Sequence, residues 1–578
     1  MSGEERQFLS GNEALARGAW EAGVVVASAY PGTPSTEVLE TLATFPDVKA
    51  EWSTNEKVAF EVAYGAAIGG VRALVSMKHV GLNVAADPLF TSAYAGVNAG
   101  FVIVVADDPG MHSSQNEQDS RHYARAARIP VLEPADPQEA HDFVLRAFEL
   151  SEQWDLPVMI RLTTRVAHTR APVVLGPRRS IAKRPFQKDW RKYVMIPANA
   201  RRRHILLEEK IARFRETIKG SPWVDVWKKD GPVGVIASGV AARYVQEVAP
   251  HFSLLKVNLS WPVPIQVIRS FAASFQKIFV VEEGDPFLET ELRAAGLPVH
   301  GKEVFPKTGE LTPEIVRQGL LGTTLPHLQP MEVPGRPPAL CPGCPHTGVF
   351  WALSLLKVPV TGDIGCYTLG ALPPYQAMHT TIDMGASIPM AWGMEKAGER
   401  AVAVIGDSTF FHSGIPGLID LVYNQGHGTV IILDNRTTGM TGHQGHPGTG
   451  QTPQGKGKEI DIEAVVRAIG VDHVWTVDPH DLKATKRAIQ QALQTSEPSV
   501  VIARRPCALL PEGRALYREN PHRFVEVEKC VGERCFSCLR IGCPAITVRE
   551  GRAWIDAVLC VGCGVCEQVC PYGAIVHA

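Results

Sequence analysis

Eight of the chain's twelve cysteines fall between positions 530 and 570, in two runs, CVGERCFSCLRIGCP (530–544) and CVGCGVCEQVCP (560–571). No other stretch limits the fold so tightly. Thiols two or three residues apart share one loop, where each reaches a different iron of a 4Fe–4S cubane. Eight such ligands ask for two clusters. Zinc is the alternative for grouped thiolates. The Cys-Pro ending of both runs favours iron–sulfur ligation.

The later run resembles that of bacterial two-cluster ferredoxins, where the cysteine before proline ligates the other cluster. That resemblance implies a crossed assignment. Cys530, Cys535, Cys538 and Cys570 hold one cluster, and Cys543, Cys560, Cys563 and Cys566 hold the other. The earlier run departs from the usual spacing, with four residues between Cys530 and Cys535 and four before Cys543. That departure bears on cluster geometry, potential or the loss of one ligand.

Residues 401–435 add a second constraint. The apolar run AVAVI (401–405) leads into Gly406, Asp407 and Ser408, and Ile415, Leu418, Ile419 and Val422 follow at helical spacing. A second apolar run, 429–433, ends in Asp434 and Asn435. This predicts one βαβ unit with oxygen-bearing side chains at both strand ends, where ligands of parallel sheets bind. Asp407 and Asn435 are hard oxygen donors suited to Mg2+, which holds a diphosphate. Gly406 lets the backbone approach, and the helix start offers N–H groups to the anion. An ordinary buried unit with polar strand ends is the plain alternative.

With 578 residues the chain has room for about three to five domains. A hydrophobic fraction of 45% and a charged fraction of 20% are those of a globular protein. A net charge of −2 gives no reason to expect nucleic acid or a membrane surface as partner. The polar start MSGEERQFLSGNEALARG lacks the apolar core of a signal peptide, and no apolar run is long enough to span a bilayer. The expectation is a cytoplasmic protein whose thiols are reduced and bind metal.

Taken in order, residues 1–175 read as a first α/β domain. The run VVVASAY (24–30) breaks at PGTPS (31–35), and Glu56 opens a helix rich in Ala and Gly. Strand-then-loop units follow at 73–83 and 101–108, a polar loop at 109–121, and a closing strand within 155–165. Residues 176–230 form a basic connector ending in an amphipathic helix; such a run is a solvated face or, alternatively, a subunit contact. Residues 231–330 are another α/β block, and the proline-rich stretch 326–338 marks a boundary. Residues 331–515 carry the βαβ unit, and 516–578 the cysteine-rich tail.

The pattern GDS followed by DN is similar to the thiamine diphosphate motif, GDG followed by NN, with two residues replaced. By that resemblance Asp407, Asn435 and the Thr437 carbonyl ligate Mg2+, while Gly406 and Ser408 line the diphosphate site. Thiamine enzymes pair this domain with a pyrimidine-binding domain whose helix-start glutamate contacts the aminopyrimidine. Glu56 fits that position and Glu61 is the alternative; a carboxylate favoured by the helix dipole is the bland reading. Met384, before Gly385, takes the place of the apolar wedge between the coenzyme rings, or simply packs in the core. YPGTPST (30–36) resembles YPITPSS of 2-oxoacid:ferredoxin oxidoreductases, whose threonine touches substrate, a role that falls to Thr33 here. Otherwise the segment is a turn and helix cap. His443 and His446, in a glycine-rich loop, are candidates for substrate contact.

CPGC (341–344) and DIGC (363–366) resemble the segments holding a cluster beside thiamine in those enzymes, with a fourth ligand at Cys507. Two readings stay open: a third 4Fe–4S cluster on Cys341, Cys344, Cys366 and Cys507, or structural thiols. Through MKHVGLNVAADPL, GDIGCYTLG, GMTGHQ and the tail, the chain resembles the α subunits of the indolepyruvate:ferredoxin oxidoreductase family. The resemblance implies two thiamine-binding parallel-sheet domains, a transketolase C-terminal-like domain over 231–330 and a two-cluster ferredoxin-like domain. It implies oxidative decarboxylation of aryl-pyruvates to arylacetyl-CoA, electrons passing through 4Fe–4S clusters to external ferredoxin. The cofactors are thiamine diphosphate, Mg2+ and two or three clusters. The partners are coenzyme A and a smaller β subunit in an α2β2 assembly. A non-oxidative thiamine decarboxylase and an electron-transfer scaffold with a vestigial thiamine site are the alternatives.

Overall fold

The computed structural model describes residues 5–218, 222–323, 335 and 338–577. The chain divides into two compact units between residues 331 and 332, each treated by itself. Of the proline-rich stretch 326–338, only Gly335 and Pro338 are among the described residues. No described helix is long and apolar enough to cross a membrane.

The first unit is built on a seven-stranded sheet. Its order is Leu259–Trp261, Val131–Leu132, Val158–Thr163, Phe101–Asp107, Ala73–Lys78, Val26–Ala29, Lys49–Trp52. All neighbours are parallel except Leu259–Trp261, which runs antiparallel to Val131–Leu132. Phe101–Asp107 and Val158–Thr163 are buried throughout, which is why they read as continuous apolar runs. Val158–Thr163 therefore does not close the sheet. Two further strands lie beyond it, one of them contributed by the block that begins at 231 in the sequence reading. On the helix Glu56–Ile68, Ala59, Ala63 and Ala67 form the small-residue face packed inward.

A four-stranded sheet, ordered Lys277–Val281, Val233–Ser238, Ser253–Val257, Val224–Trp227, completes this unit. Val224–Trp227 pairs antiparallel with Ser253–Val257, so the sheet begins inside the stretch read as connector. The basic connector is also more than a solvated face. The Arg184 N–H donates to the Gly70 carbonyl, and the Arg178 guanidinium donates to the carbonyls of Trp20 and Val24. The helix Pro197–Thr217 buries Leu207, Ile211 and Phe214. A buried charge network joins the two sheets. Arg121 donates to Glu282 at 2.8 Å, and Arg161 donates to Asp107 and Glu133, each at 2.6 Å.

The second unit holds a six-stranded, wholly parallel sheet. Its order is Thr380–Thr381, Val360–Gly362, Val402–Gly406, Thr429–Asp434, Ser499–Arg504, His473–Val477. The predicted βαβ unit is present. Its helix, Ile415–Tyr423, buries Leu418 and Leu421, while Ile419 is 49% exposed, against the face predicted from spacing. A π-helical turn, Phe410–Gly414, precedes the helix.

The tail contains two antiparallel pairs, Ile546–Arg549 with Arg552–Ile555 and Arg523–Val525 with Ile575–His577. Its small core is made of Ala545, Ile546, Ala553, Ile555 and Ile575 together with the cysteines themselves. The fold is thus α/β with several parallel-sheet domains and a C-terminal ferredoxin-like region.

Candidate active site

In the first unit, Glu56 is the first residue of its helix and 5% exposed. The side chain of Asn55 caps that helix by accepting from the Val58 N–H. The Glu56 carboxyl packs against Gly81 of the short helix His79–Val84, where a Cβ would stand 2.6 Å from Oε1. Glu61 points elsewhere: it is exposed and paired with Lys57. Thr33 sits at the end of the strand Val26–Ala29, and its carbonyl accepts from Ser113 Oγ at 3.4 Å. Beside it Lys78 is 7% exposed and donates through Nζ to the Ser113 carbonyl at 2.6 Å. Burial pulls the Lys78 ammonium down to about 8, against the opposing pull of Asp108. Ser113, Ser114 and Thr164 all donate to Asp108. The polar loop after residue 108 is thereby folded over the strand ends.

In the second unit, Gly406 pairs with Leu433, which sets Asp407 beside Asp434 and Asn435 at the carboxyl end of the sheet. Asp407 is 2% exposed, and its Oδ1 accepts from the Ser408 N–H at 2.8 Å. Its Oδ2 accepts from the Arg436 N–H at 2.7 Å and faces His446 Nε2 at 3.1 Å. Burial pushes the Asp407 carboxyl up, but His446 and the N–H groups of Ser408 and Arg436 outweigh it and hold the group below the usual range. Asn435 Oδ1 accepts from the Thr437 N–H, and Asn435 Nδ2 lies 3.4 Å from His346 Nε2. Arg436, between them, has a φ of 64°, an uncommon conformation for a side chain of this size. Asp434 is pushed up to about 6 by burial and by Asp407, while Arg504 donates to its Oδ2 at 2.6 Å.

Thr437 Oγ1 and Asp434 Oδ1 are buried without a hydrogen-bond partner, beside Asp407 and Asn435. Buried oxygens in that position, with a carboxylate and an amide, are a donor set fit for a hard cation. Ser408 Oγ accepts from Thr438 Oγ1 at 3.0 Å. Gly385 has a φ of 97° and lies against Ser413, and Met384 beside it is half-buried. His446 is buried on Asp407; His443 has a φ of 69° and a buried Nδ1 without a partner.

The twelve cysteines fall into three groups. One cavity is lined by Cys530, Cys535, Cys538 and Cys570. A second is lined by Cys543, Cys560, Cys563 and Cys566, with Cys341 and Cys344 on its wall. Burial pushes Cys538 up to about 11, and the further push comes from Cys530, Cys570 and Cys535. Burial likewise raises Cys344, with Cys341, Cys366 and Cys507 adding to it, so these four thiols form a third group. Its Cys507 N–H donates to the Asn435 carbonyl at 2.9 Å. Zinc needs several ligands converging on one ion. Among the described residues no three or more His, Cys, Asp or Glu side chains are so placed. The eight cysteines of the tail line two cavities in sets of four.

Two residues escaped the sequence reading, Gly81 and His346, as did the anchoring of His446 to Asp407. Two histidines in a glycine-rich loop were a signal for the last. Nothing local signals the first two, which depend on contacts distant in sequence.

Residues 17–220 match the pyruvate flavodoxin/ferredoxin oxidoreductase thiamine diphosphate-binding family. Residues 363–503 match the C-terminal TPP-binding domain of thiamine pyrophosphate enzymes, and residues 553–576 match the 4Fe-4S binding domain. The indolepyruvate oxidoreductase subunit IorA of Thermococcus kodakarensis is 42% identical over 99% of this chain and 97% of its own length. That of Methanothermobacter thermautotrophicus is 44% identical over 99% and 97%. The 2-oxoglutarate synthase subunit KorA of the latter organism is 28% identical over 53% of this chain. With its thiamine-type domains and its grouped thiols in place, the chain belongs to the indolepyruvate oxidoreductase IorA family.

Proposed function

We propose that this chain is the thiamine- and cluster-bearing subunit of an enzyme that oxidatively decarboxylates aryl-pyruvates to arylacetyl-CoA and CO2. The observation that carries the reading is the wall shared by two thiol groups. Cys341 and Cys344 line the same cavity as Cys543, Cys560, Cys563 and Cys566, while Cys507 of the former group is bonded to Asn435. This adjacency supports a path from the strand end at Asn435 through Cys507 and the Cys341–Cys344 turn to the Cys543, Cys560, Cys563 and Cys566 set.

Thiamine diphosphate, when bound, supplies a carbon nucleophile and an electron sink for the carboxylate that leaves as CO2. Glu56 holds a proton at the pyrimidine ring nitrogen, in a buried position where the carboxyl competes with little water. Asp407, Asn435 and the Thr437 carbonyl hold Mg2+, Gly406 and Ser408 line the diphosphate, and Gly385 sets Met384 against the coenzyme rings. Thr33 orients the 2-oxoacid. Cys530, Cys535, Cys538 and Cys570 hold one 4Fe–4S cluster, Cys543, Cys560, Cys563 and Cys566 the second, and Cys341, Cys344, Cys366 and Cys507 a third. Clusters held there would supply one-electron carriers toward an external ferredoxin. The reading includes a smaller β subunit, an α2β2 assembly and a cytoplasmic setting, where thiols stay reduced.

The test is anaerobic co-expression with the smaller subunit, followed by iron, thiamine and turnover assays. About twelve iron and one thiamine per chain are expected, whereas about eight iron would make the third thiol group structural. Glu56→Gln abolishes turnover with iron intact, and Asp407→Ala loses thiamine. Iron without thiamine, or aldehyde as product without any electron acceptor, overturns the reading.

A further inference from the structure

We propose that His446 is a positioning residue that makes Asp407 a one-oxygen metal ligand; this rests on the magnesium site just described. The argument is a count of lone pairs. A carboxylate offers about four acceptor positions, two on each oxygen. The Gly448 N–H donates to His446 Nδ1 at 3.2 Å, so the ring proton resides on Nε2 and is donated to Asp407 Oδ2 at 3.1 Å. Oδ2 also accepts from the Arg436 N–H, which fills both of its positions. Oδ1 accepts only from Ser408 among the hydrogen bonds described, and keeps one position for a cation.

The ring is held for this task. The His446 N–H donates to Thr449 Oγ1 at 3.1 Å, and the Thr449 N–H returns to the His446 carbonyl at 2.8 Å. Phe411 packs beside the imidazole with ring centres 6.0 Å apart. Gly448 is required at its position, because a Cβ there would stand 2.9 Å from the Phe411 ring and 3.0 Å from His446 Cε1. Chain 39 residues beyond Asp407 is thus folded back to saturate one carboxylate oxygen.

One-oxygen ligation suits Mg2+, which demands a compact octahedron, whereas Ca2+ accepts bidentate carboxylates. Partners that orient a metal ligand typically change metal affinity by about 10–100-fold when removed. The experiment titrates Mg2+ and Ca2+ separately against the co-expressed complex at fixed thiamine diphosphate, following coenzyme binding by tryptophan fluorescence. His446→Leu, which lacks the donor, is expected to weaken Mg2+ by about 10–100-fold and to move the Ca2+/Mg2+ affinity ratio toward Ca2+. His446→Gln keeps an N–H donor and stays near the wild-type ratio. Wild-type affinities and ratio in His446→Leu overturn the inference, as does His446→Gln shifting as far as His446→Leu. If His446→Leu does not fold, the same ratio measured in His446→Gln and His446→Ala decides. A wild-type complex that binds no thiamine diphosphate with Mg2+ overturns the functional reading itself, and this inference with it.

Discussion

The Glu56 carboxyl lies directly on the backbone of Gly81, with 2.5 Å between Glu56 Cγ and the point where a Gly81 Cβ would stand. Real Cβ contacts are never that short, so Gly81→Ala displaces the carboxyl. Alanine is the better helix former by about 1 kcal/mol, so the short helix itself loses nothing. Turnover is expected to fall by up to about 100- to 10,000-fold, the contribution of a positioned general acid–base. Bound thiamine and iron stay near wild type. The direct check is the proton-exchange rate at the thiazolium carbon, which falls in parallel.

The crossed thiol sets yield a prediction that chain order alone would get wrong. Cys570 lies four residues after Cys566, yet it lines the cavity of Cys530, Cys535 and Cys538. Cys570→Ser and Cys538→Ser are expected to leave the same residual electron paramagnetic resonance spectrum. Cys570→Ser and Cys566→Ser leave different ones, each with about four iron lost. Identical spectra for Cys570→Ser and Cys566→Ser sink the crossed assignment.

Legibility in the sequence followed the locality of the cause. The Asp407–Asn435 unit was readable because apolar runs and the residues at their ends are one continuous stretch. The grouping of Cys570 with Cys530, Cys535 and Cys538 was expected from the resemblance to two-cluster ferredoxins, since spacing alone would leave Cys570 with Cys566. Ile419 came out on the wrong face because Leu418 and Leu421 centre the buried stripe, and at 3.6 residues per turn Ile419 lies well round from that centre. The strands Val131–Leu132 and Leu259–Trp261 are too short to show any period. Gly81 and His346 act through contacts 25 and 89 residues away in sequence, and a single sequence does not encode such contacts in any local pattern.

Glu283 gives the first unit a pH dependence. It sits in a buried network where Asp107, Asp119, Glu133, Glu282 and Glu283 lie among Arg121, Arg161 and Lys302, with His122 beside Asp119 and Glu310 beside Glu283. Burial pushes Glu283 up to about 7 from an ordinary 4.5, although the Leu311 N–H and Arg161 pull it down. The folded chain therefore holds this proton more tightly than the unfolded chain. The stabilisation is full below about pH 4.5 and is lost as pH rises through about 7. Glu283→Gln keeps the acceptor for Leu311 and removes the titration. Between pH 5 and pH 8 the melting temperature is expected to drop by roughly 2–4 °C less in the variant than in wild type. Equal drops would show that Glu283 is already ionised at pH 5 in the folded chain.

Gly385 is the position where backbone and packing both forbid a side chain. Its φ of 97° lies in a region that L-residues avoid, and a Cβ would stand 2.5 Å from Ser413 Cβ and 3.0 Å from the Ser413 carbonyl carbon. Gly385→Ala costs about 1–2 kcal/mol for the backbone alone, before the clash is counted. The adjacent Met384 and the segment that carries Ser387 move with it. The Ser387 N–H and hydroxyl both donate to buried Asp363, so the shift reaches the next strand end. The variant is expected to bind thiamine diphosphate at least tenfold more weakly and to melt lower. Adding Ser413→Gly removes the nearest atom of the clash but neither the φ cost nor the contact with the Ser413 carbonyl carbon. The double variant should therefore recover part of the melting temperature and only part of the affinity. Full recovery would mean that crowding by the Ser413 side chain, rather than the left-handed backbone, fixes glycine here.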